Sequence, residues 1–249
     1  MERLSQRKIF EDSILGPVIE GYSKKSQALC GFMALKGHEY KNKLMVVGRA
    51  VNGWGDGKST AALLDLTARQ KFIDDFFYPD GKCQMAWVGE SAGKTDGYNT
   101  NKSAFWRVIR RVSRRLGVWH DGQEENWSSR LVWSNLYKIS PHACGNPSDK
   151  LCALQEPGCI ELLRKEIEDY QPERILFLTG MNWAKPFLAS LGCQQPASDG
   201  LVEASGTLIV PGGDAAIPFV VAKRPDRRDG SLESDWVEKV ISRFEPAGA

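Results

Sequence analysis

The sequence has no apolar run approaching the roughly 18 residues needed to cross a bilayer. Its opening, MERLSQRKIF, has neither the apolar stretch nor the small-residue cleavage site of a secretory signal. A soluble, cytoplasmic protein with no membrane partner is the expectation. Paired cysteines are missing as well. The six cysteines, Cys30, Cys83, Cys144, Cys152, Cys159 and Cys193, form no CxxC, and a reducing compartment favours free thiols. His142, Cys144, Cys152 and Cys159 are the one grouping that invites a metal reading, yet seven and six residues separate the cysteines where zinc sites use tight pairs. The expectation is therefore no metal and no cofactor. There is no GxSxG elbow, which excludes the usual α/β-hydrolase nucleophile, and Cys144 near His142 is too loose a pairing to replace it. Internal repeats and low-complexity tracts are also absent.

What is present is ordinary for a globular chain: 249 residues, 42% hydrophobic and 26% charged. That length fits one domain, residues 1–249, and a monomer is the simplest state. Apolar and β-branched runs bounded by turn residues predict strands at Lys43–Val47, Arg130–Leu136, Arg174–Leu178 and Phe219–Ala222, with Thr207–Val210 as a short extra. Helical patterns cover Lys102–Leu116, Gly158–Asp169, Trp183–Leu191 and Leu232–Phe244. They are preceded by an irregular one at Phe10–Ala34 that Gly16-Pro17 should interrupt. Tyr78–Thr100 reads as a long polar loop. The alternation predicts an α/β fold, three-layer α/β/α, with a central, mostly parallel four-stranded sheet. Ligands of such sheets sit at the carboxyl ends of the strands, which selects the loops Gly48–Thr60, Asn135–Pro147, Thr179–Trp183 and Lys223–Ser231.

The first of these loops ends in GKST, the tail of a phosphate-binding P-loop. The spacing G-x-x-x-x-G-K-[ST] places Asn52, not glycine, at its first position. No acidic residue closes RILFLTG or RLVWSNL to hold magnesium. Both observations exclude a nucleoside triphosphatase and leave a glycine-rich surface turn from which Lys58 and Ser59 begin a helix.

The net charge of +2 says little, but its distribution is uneven. KSAFWRVIRRVSRRL carries Arg107, Arg110, Arg111, Arg114 and Arg115 at helical spacing with no acidic residue between Lys102 and Leu116. Phe105, Ile109, Val112 and Leu116 fall on another, core-facing side. The basic face is either a phosphate contact or a solvated surface set near acidic neighbours such as Glu124 and Glu125. A second cluster, Lys223, Arg224, Arg227 and Arg228 in AKRPDRRDG, lies in a predicted site loop, where it either meets a phosphate backbone or forms a charged turn balanced by Asp226 and Asp229.

The order of VVGRAVNGWG, FWRVIRR, VWSNLYKIS, RILFLTGMNWA and FVVAKRPDRRDGSL resembles that of the uracil-DNA glycosylase superfamily over Leu44 to Phe244. The resemblance implies hydrolysis of the N-glycosidic bond of a damaged or deaminated base flipped out of DNA, with DNA as partner in preference to RNA. Gly48, Arg49, Ala50 and Val51 would stand at the water-positioning motif, with Asn52 and Trp54 just beyond. Asn135 would stand at the base-reading position, and Arg224-Pro225-Asp226 at the DNA-gripping loop. An aromatic such as Trp54 or Phe105 would stack on the base.

Two departures bear on chemistry. The position that usually orients water is Ala50, so Asn52 or Asp56 would have to substitute, and Arg224 would have to stabilise the leaving base. For Asn135 a turn-capping amide is the alternative to base reading, and for Asn52-Gly53 a simple turn. A binding module that recognises nucleic acid or a nucleotide without cleaving it is the competing function, favoured by Ala50. Trp106 and Trp133 are expected in the core, His38 and His120 at the surface, and His142 in a site loop.

Overall fold

The computed structural model describes residues 2–76, 83–143, 145–191, 200–209, 216–226 and 232–244. In chain order these form helix α1 (Glu2–Ile9), a π-helical turn (Phe10–Leu15), α2 (Gly16–Gly21), and strands β1 (Ala28–Gly31), β2 (Leu35–Lys36), β3 (Met45–Gly48) and β4 (Lys58–Ser59). Helices α3 (Leu66–Asp74), α4 (Ala86–Glu90) and α5 (Ala104–Arg115) follow, then strands β5 (Val132–Asn135) and β6 (Ile139–Pro141) and helix α6 (Asp149–Tyr170). The chain continues through β7 (Ile175–Leu178), α7 (Met181–Ser190), β8 (Val202–Ile209), β9 (Ala216–Ala222) and α8 (Glu233–Phe244). These elements divide between two units. The first takes Met1–Ala34, Gly48–Gly81 and Ser134–Asp169; the second takes Leu35–Val47, Lys82–Trp133 and Tyr170–Ala249.

A mixed six-stranded sheet in the order β2-β5-β3-β7-β9-β8 belongs to the second unit except for Gly48, Ser134 and Asn135 at the ends of β3 and β5. β3 pairs with β7 and β7 with β9 in parallel, with Val46 opposite Leu176 and Leu176 opposite Val220. Both edges are antiparallel, β2 on β5 and β8 on β9. The class is α/β, but the sheet has six strands where the alternation predicts four. β2 is two residues long, too short to show a period. β8 alternates buried and part-exposed residues across a polar sequence, VEASGTLI, of which only the end reads as a strand. The inner strands are wholly buried from Met45 to Gly48 and from Ile175 to Leu178, the pattern of strands covered on both faces.

Helix α5 shows why a charged sequence can still anchor a fold. Phe105, Trp106, Val108, Ile109 and Val112 are buried, one stripe of the helix. The Trp106 ring lies 5.1 Å from Trp133 on β5 and 5.3 Å from Trp87 on α4, in edge-on contacts that fix the helix to the sheet. On α8, Trp236, Val237, Val240, Ile241 and Phe244 are buried in the same way.

The first unit is built on a small antiparallel sheet, β4-β1-β6, with Ala28 opposite Ser59 and Cys30 opposite Ser140. Lys58 and Ser59 are thus a strand rather than the start of a helix, because β1 supplies their backbone partners. Gly16-Pro17 does not break the N-terminal helix. The π turn before it carries a Gly16 N–H to Glu11 carbonyl bond, and Pro17 enters the first turn of α2, where a missing N–H costs nothing. Helix α6 starts at Asp149, well before the predicted Gly158, and runs through Pro157. At Gly158 it approaches the π turn so closely that an added Cβ would sit 2.2 Å from the Ser13 carbonyl oxygen, so only glycine fits. Among the described residues no helix is long and apolar enough to cross a membrane.

Candidate functional site

The loop after β3 is held along its backbone by residues 136–142. The Gly48 and Arg49 carbonyls accept from the N–H groups of Leu136 and Tyr137, each at 2.9 Å. Further along, the Val51 carbonyl accepts from the Ser140 hydroxyl, and the Gly55 carbonyl lies 3.0 Å from His142 Nε2. His142 therefore props the loop. At Gly57 an added Cβ would come within 2.5 Å of the His142 ring, which explains the glycine there. Trp54 meets Phe32 edge-on at 5.9 Å. Gly53 and Gly55 both have a φ of +64°, so the chain bends at Asn52-Gly53 and again at Gly55-Asp56 through conformations that favour glycine.

Within this frame, Gly48 and Val51 are buried, Arg49, Ala50 and Trp54 are half-buried, and Asn52 and Asp56 are exposed. Asn135, at the end of β5, is 1% exposed. Its amide Nδ2 has no hydrogen-bond partner among the described residues. A buried amide nitrogen left unpaired costs about 1–3 kcal/mol, a condition Asn135 shares with the Tyr40 hydroxyl. The structure thus places Asn135 in the interior and Asn52 and Asp56 at the surface of the same unit.

The remaining candidates belong to the second unit. Lys223 and Arg224 are exposed, Pro225 is buried, and Arg227 and Arg228 lie outside the described residues. Phe105 packs at 5.3 Å against Trp106 and is a core residue. The basic face of α5 is largely matched by carboxylates. Arg107 Nε donates to Glu233 at 2.7 Å, and Arg111 lies 3.7 Å from the same carboxylate. Arg114 pairs with Asp121 at 2.6 Å, and Arg115 pairs with Glu238. A helix without acidic residues of its own is balanced from α8 and from the loop after α5, which no local window of sequence shows.

The thiol and metal expectations also meet geometry. Cys144 and Cys193 lie outside the described residues. Among the described residues no cluster of His, Cys, Asp and Glu is arranged to hold a metal. Burial pushes the Cys152 thiol up to about 11 and the Cys159 thiol up to about 12, so neither is a ready nucleophile at neutral pH. Burial, reinforced by a 2.7 Å bond to Glu156, likewise raises the Tyr137 phenol.

One constellation escaped the sequence reading. Lys138 Nζ donates to Glu166 Oε1 at 2.7 Å and Oε2 at 3.0 Å and to Ser134 Oγ at 2.7 Å, and Ser134 Oγ in turn donates to Glu166 Oε2 at 2.6 Å. Lys138 and Glu166 are both fully buried. Closed from solvent, the trio is a structural network. Its signal in the sequence is a lysine among apolar neighbours in NLYKIS, a charge that burial would force to find a partner.

No model of a known protein family matches the chain, and no curated protein matches it. Among solved structures it is similar to a domain of unknown function, DUF1537, from Bordetella bronchiseptica, a domain-swapped dimer with bound citrate. That match has 15% identity and a TM-score of 0.31 and covers 87% of this chain and 41% of the other, a likeness too low to carry an argument. The resemblance to the uracil-DNA glycosylase superfamily is accordingly corrected, since neither a family model nor a curated relative supports it. GRAV, WSNL and RPD are three- and four-residue matches at strand ends, where small and polar residues recur in many unrelated α/β sheets.

Proposed function

We propose that the protein binds nucleic acid, DNA in preference to RNA, and receives an unpaired or flipped-out base at Gly48–Trp54 and Asn135. The observation that carries this reading is the buried Asn135 amide with its unpartnered Nδ2. A carboxamide presents one donor and one acceptor face, the complement of a pyrimidine edge, and a bound base would supply the missing acceptor. Trp54, half-buried in the same loop, is an aromatic surface on which a base would stack.

Recognition without cleavage fits the loop better than catalysis does. Ala50 has no polar side chain to orient water. A second reading, hydrolysis of the N-glycosidic bond, draws on Asn52 and Asp56, whose exposed side chains make no hydrogen bond among the described residues and are free to hold a water.

Asn135→Leu separates these ideas from a structural role. The two side chains are close in size, so removing an unpaired buried amide should leave folding stability unchanged or raise it by about 1 kcal/mol. The same change should weaken binding of single-stranded DNA carrying uracil or hypoxanthine at least tenfold, a loss of about 1.4 kcal/mol, measured by fluorescence anisotropy. No binding to any DNA or RNA, or equal binding by the variant, would sink the proposal. Abasic sites in the same DNA after incubation with the parent protein would establish the hydrolytic reading.

A further inference from the structure

We infer that the second unit carries a separate site for a small phosphorylated ligand of mononucleotide size, in the cavity lined by Arg110, Arg111 and Arg114 of α5 and by Trp119, Glu124 and Glu125 of the segment after it. This goes beyond the base-recognition reading, which concerns the other unit, and either can fail alone. The cavity measures about 790 Å³, inside the range of roughly 300–1,000 Å³ usual for small-molecule sites.

Arg110 is the residue on which the site turns. Its guanidinium lies 5.7 Å from the centre of the Trp119 indole, and that of Arg114 lies 5.5 Å away. Trp119 is itself fixed. It is buried, and its indole N–H donates to the Arg110 carbonyl at 3.2 Å and to Ser113 Oγ at 3.0 Å. A ring face holds a guanidinium without using its in-plane N–H donors. Of the neighbouring arginines, Arg107 donates to Glu233 and Arg114 donates one N–H to Asp121, while Arg111 faces Glu233 at 3.7 Å. Arg110, half-buried, makes no ion pair and no side-chain hydrogen bond among the described residues. A cation with five donors in a fixed fork, stacked and unpaired, is completed by phosphate oxygens.

The acidic side of the lining decides between a small ligand and a strand. Backbone hydrogen bonds from its own residue and Gly122, and then the charges of Arg114 and Arg110, hold the Glu124 carboxyl below its usual range, so it stays ionised. Glu124 and Glu125 therefore repel a polyanion, whose phosphates would have to lie on both sides of any one bound at Arg110. A ligand with a single phosphate group places its charge at Arg110 and turns a neutral sugar or a ring bearing N–H donors towards the carboxylates.

The test is calorimetric titration of the full chain with the four ribonucleoside monophosphates, inorganic phosphate and a single-stranded oligonucleotide. At least one monophosphate should bind saturably. Arg110→Gln should weaken that binding about tenfold or more with an unchanged melting temperature, Arg110→Lys should recover only part of it because an ammonium lacks the fork, and Glu124→Gln should tighten it. In an Asn135→Leu background the dependence of that binding on Arg110 should be unchanged. The inference is overturned by no binding of monophosphate or inorganic phosphate at millimolar concentration, or by equal binding to Arg110→Gln. Loss of binding in Asn135→Leu would also overturn it by placing the ligand in the first unit, as would binding of the oligonucleotide alone. If Arg110→Gln lowers the melting temperature, Glu124→Gln carries the comparison, and its failure to tighten binding overturns the inference.

Discussion

Two ion-paired regions of the molecule differ in how far their charges have been removed from water. Lys138 and Glu166 in the first unit are 0% exposed on both sides of the pair, whereas Arg115 and Glu238 in the second are 50% and 62% exposed. In the buried network two charges have left water, and only their mutual attraction and the Ser134 hydroxyl repay the desolvation. At Arg115 and Glu238 water solvates each charge whether or not the pair forms, so the attraction is screened and the ordering of long side chains consumes most of it. A distance alone does not value an ion pair. Its surroundings do.

The largest effect should come from breaking the buried pair by halves. Glu166→Gln leaves the Lys138 ammonium buried opposite a neutral amide, and urea unfolding should show a loss of about 3–5 kcal/mol. The double replacement Lys138→Met with Glu166→Leu removes both charges together and should recover most of that loss. If the single and double variants are equally unstable, the network contributes through shape and not through charge.

A smaller effect should appear in alkaline solution. The Cys159 thiol is buried against this network, with Lys138 partly offsetting the burial that raises it from 9.0 to about 12. The unfolded thiol therefore ionises first. The contribution is fully present below pH 9 and falls by up to about 1.4 kcal/mol per pH unit as pH rises towards 12. Cys159→Ala should flatten this part of the stability profile, measured by thermal unfolding at stepped pH, and an unflattened profile would place the thiol in a more polar setting.

The smallest effect belongs to the surface. Arg115→Ala and Glu238→Ala should each change stability by no more than about 1 kcal/mol, and a double-mutant cycle should give a coupling that fades with added salt. A coupling above that, or one insensitive to salt, would erase the contrast between the two regions.

How far the sequence reaches is visible in particular residues. The apolar runs at Val46, Leu176 and Val220 and the buried stripe of α5 are legible because their periods are local and long enough to count. The two-residue strands Leu35–Lys36 and Lys58–Ser59 are not, since their only reason to be strands is the backbone opposite them. Pro17 misleads in the same way: a proline predicts an interruption, but the π turn before it lets the helix continue. For the candidate site, the sequence points to Asn135 and to the loop at Gly48–Trp54, but not to the unpartnered amide nitrogen that makes Asn135 informative.

The α/β class, the inner strands and the amphipathic helices follow from local sequence, because hydrophobic period and turn chemistry act between neighbours along the chain. Folding alone brings four of the five α5 arginines to carboxylates, Arg110 over Trp119, and Lys138 to Glu166 out of water. Those outcomes depend on which distant residue stands within about 4 Å, the range over which Coulomb attraction and desolvation compete, and no periodicity encodes that.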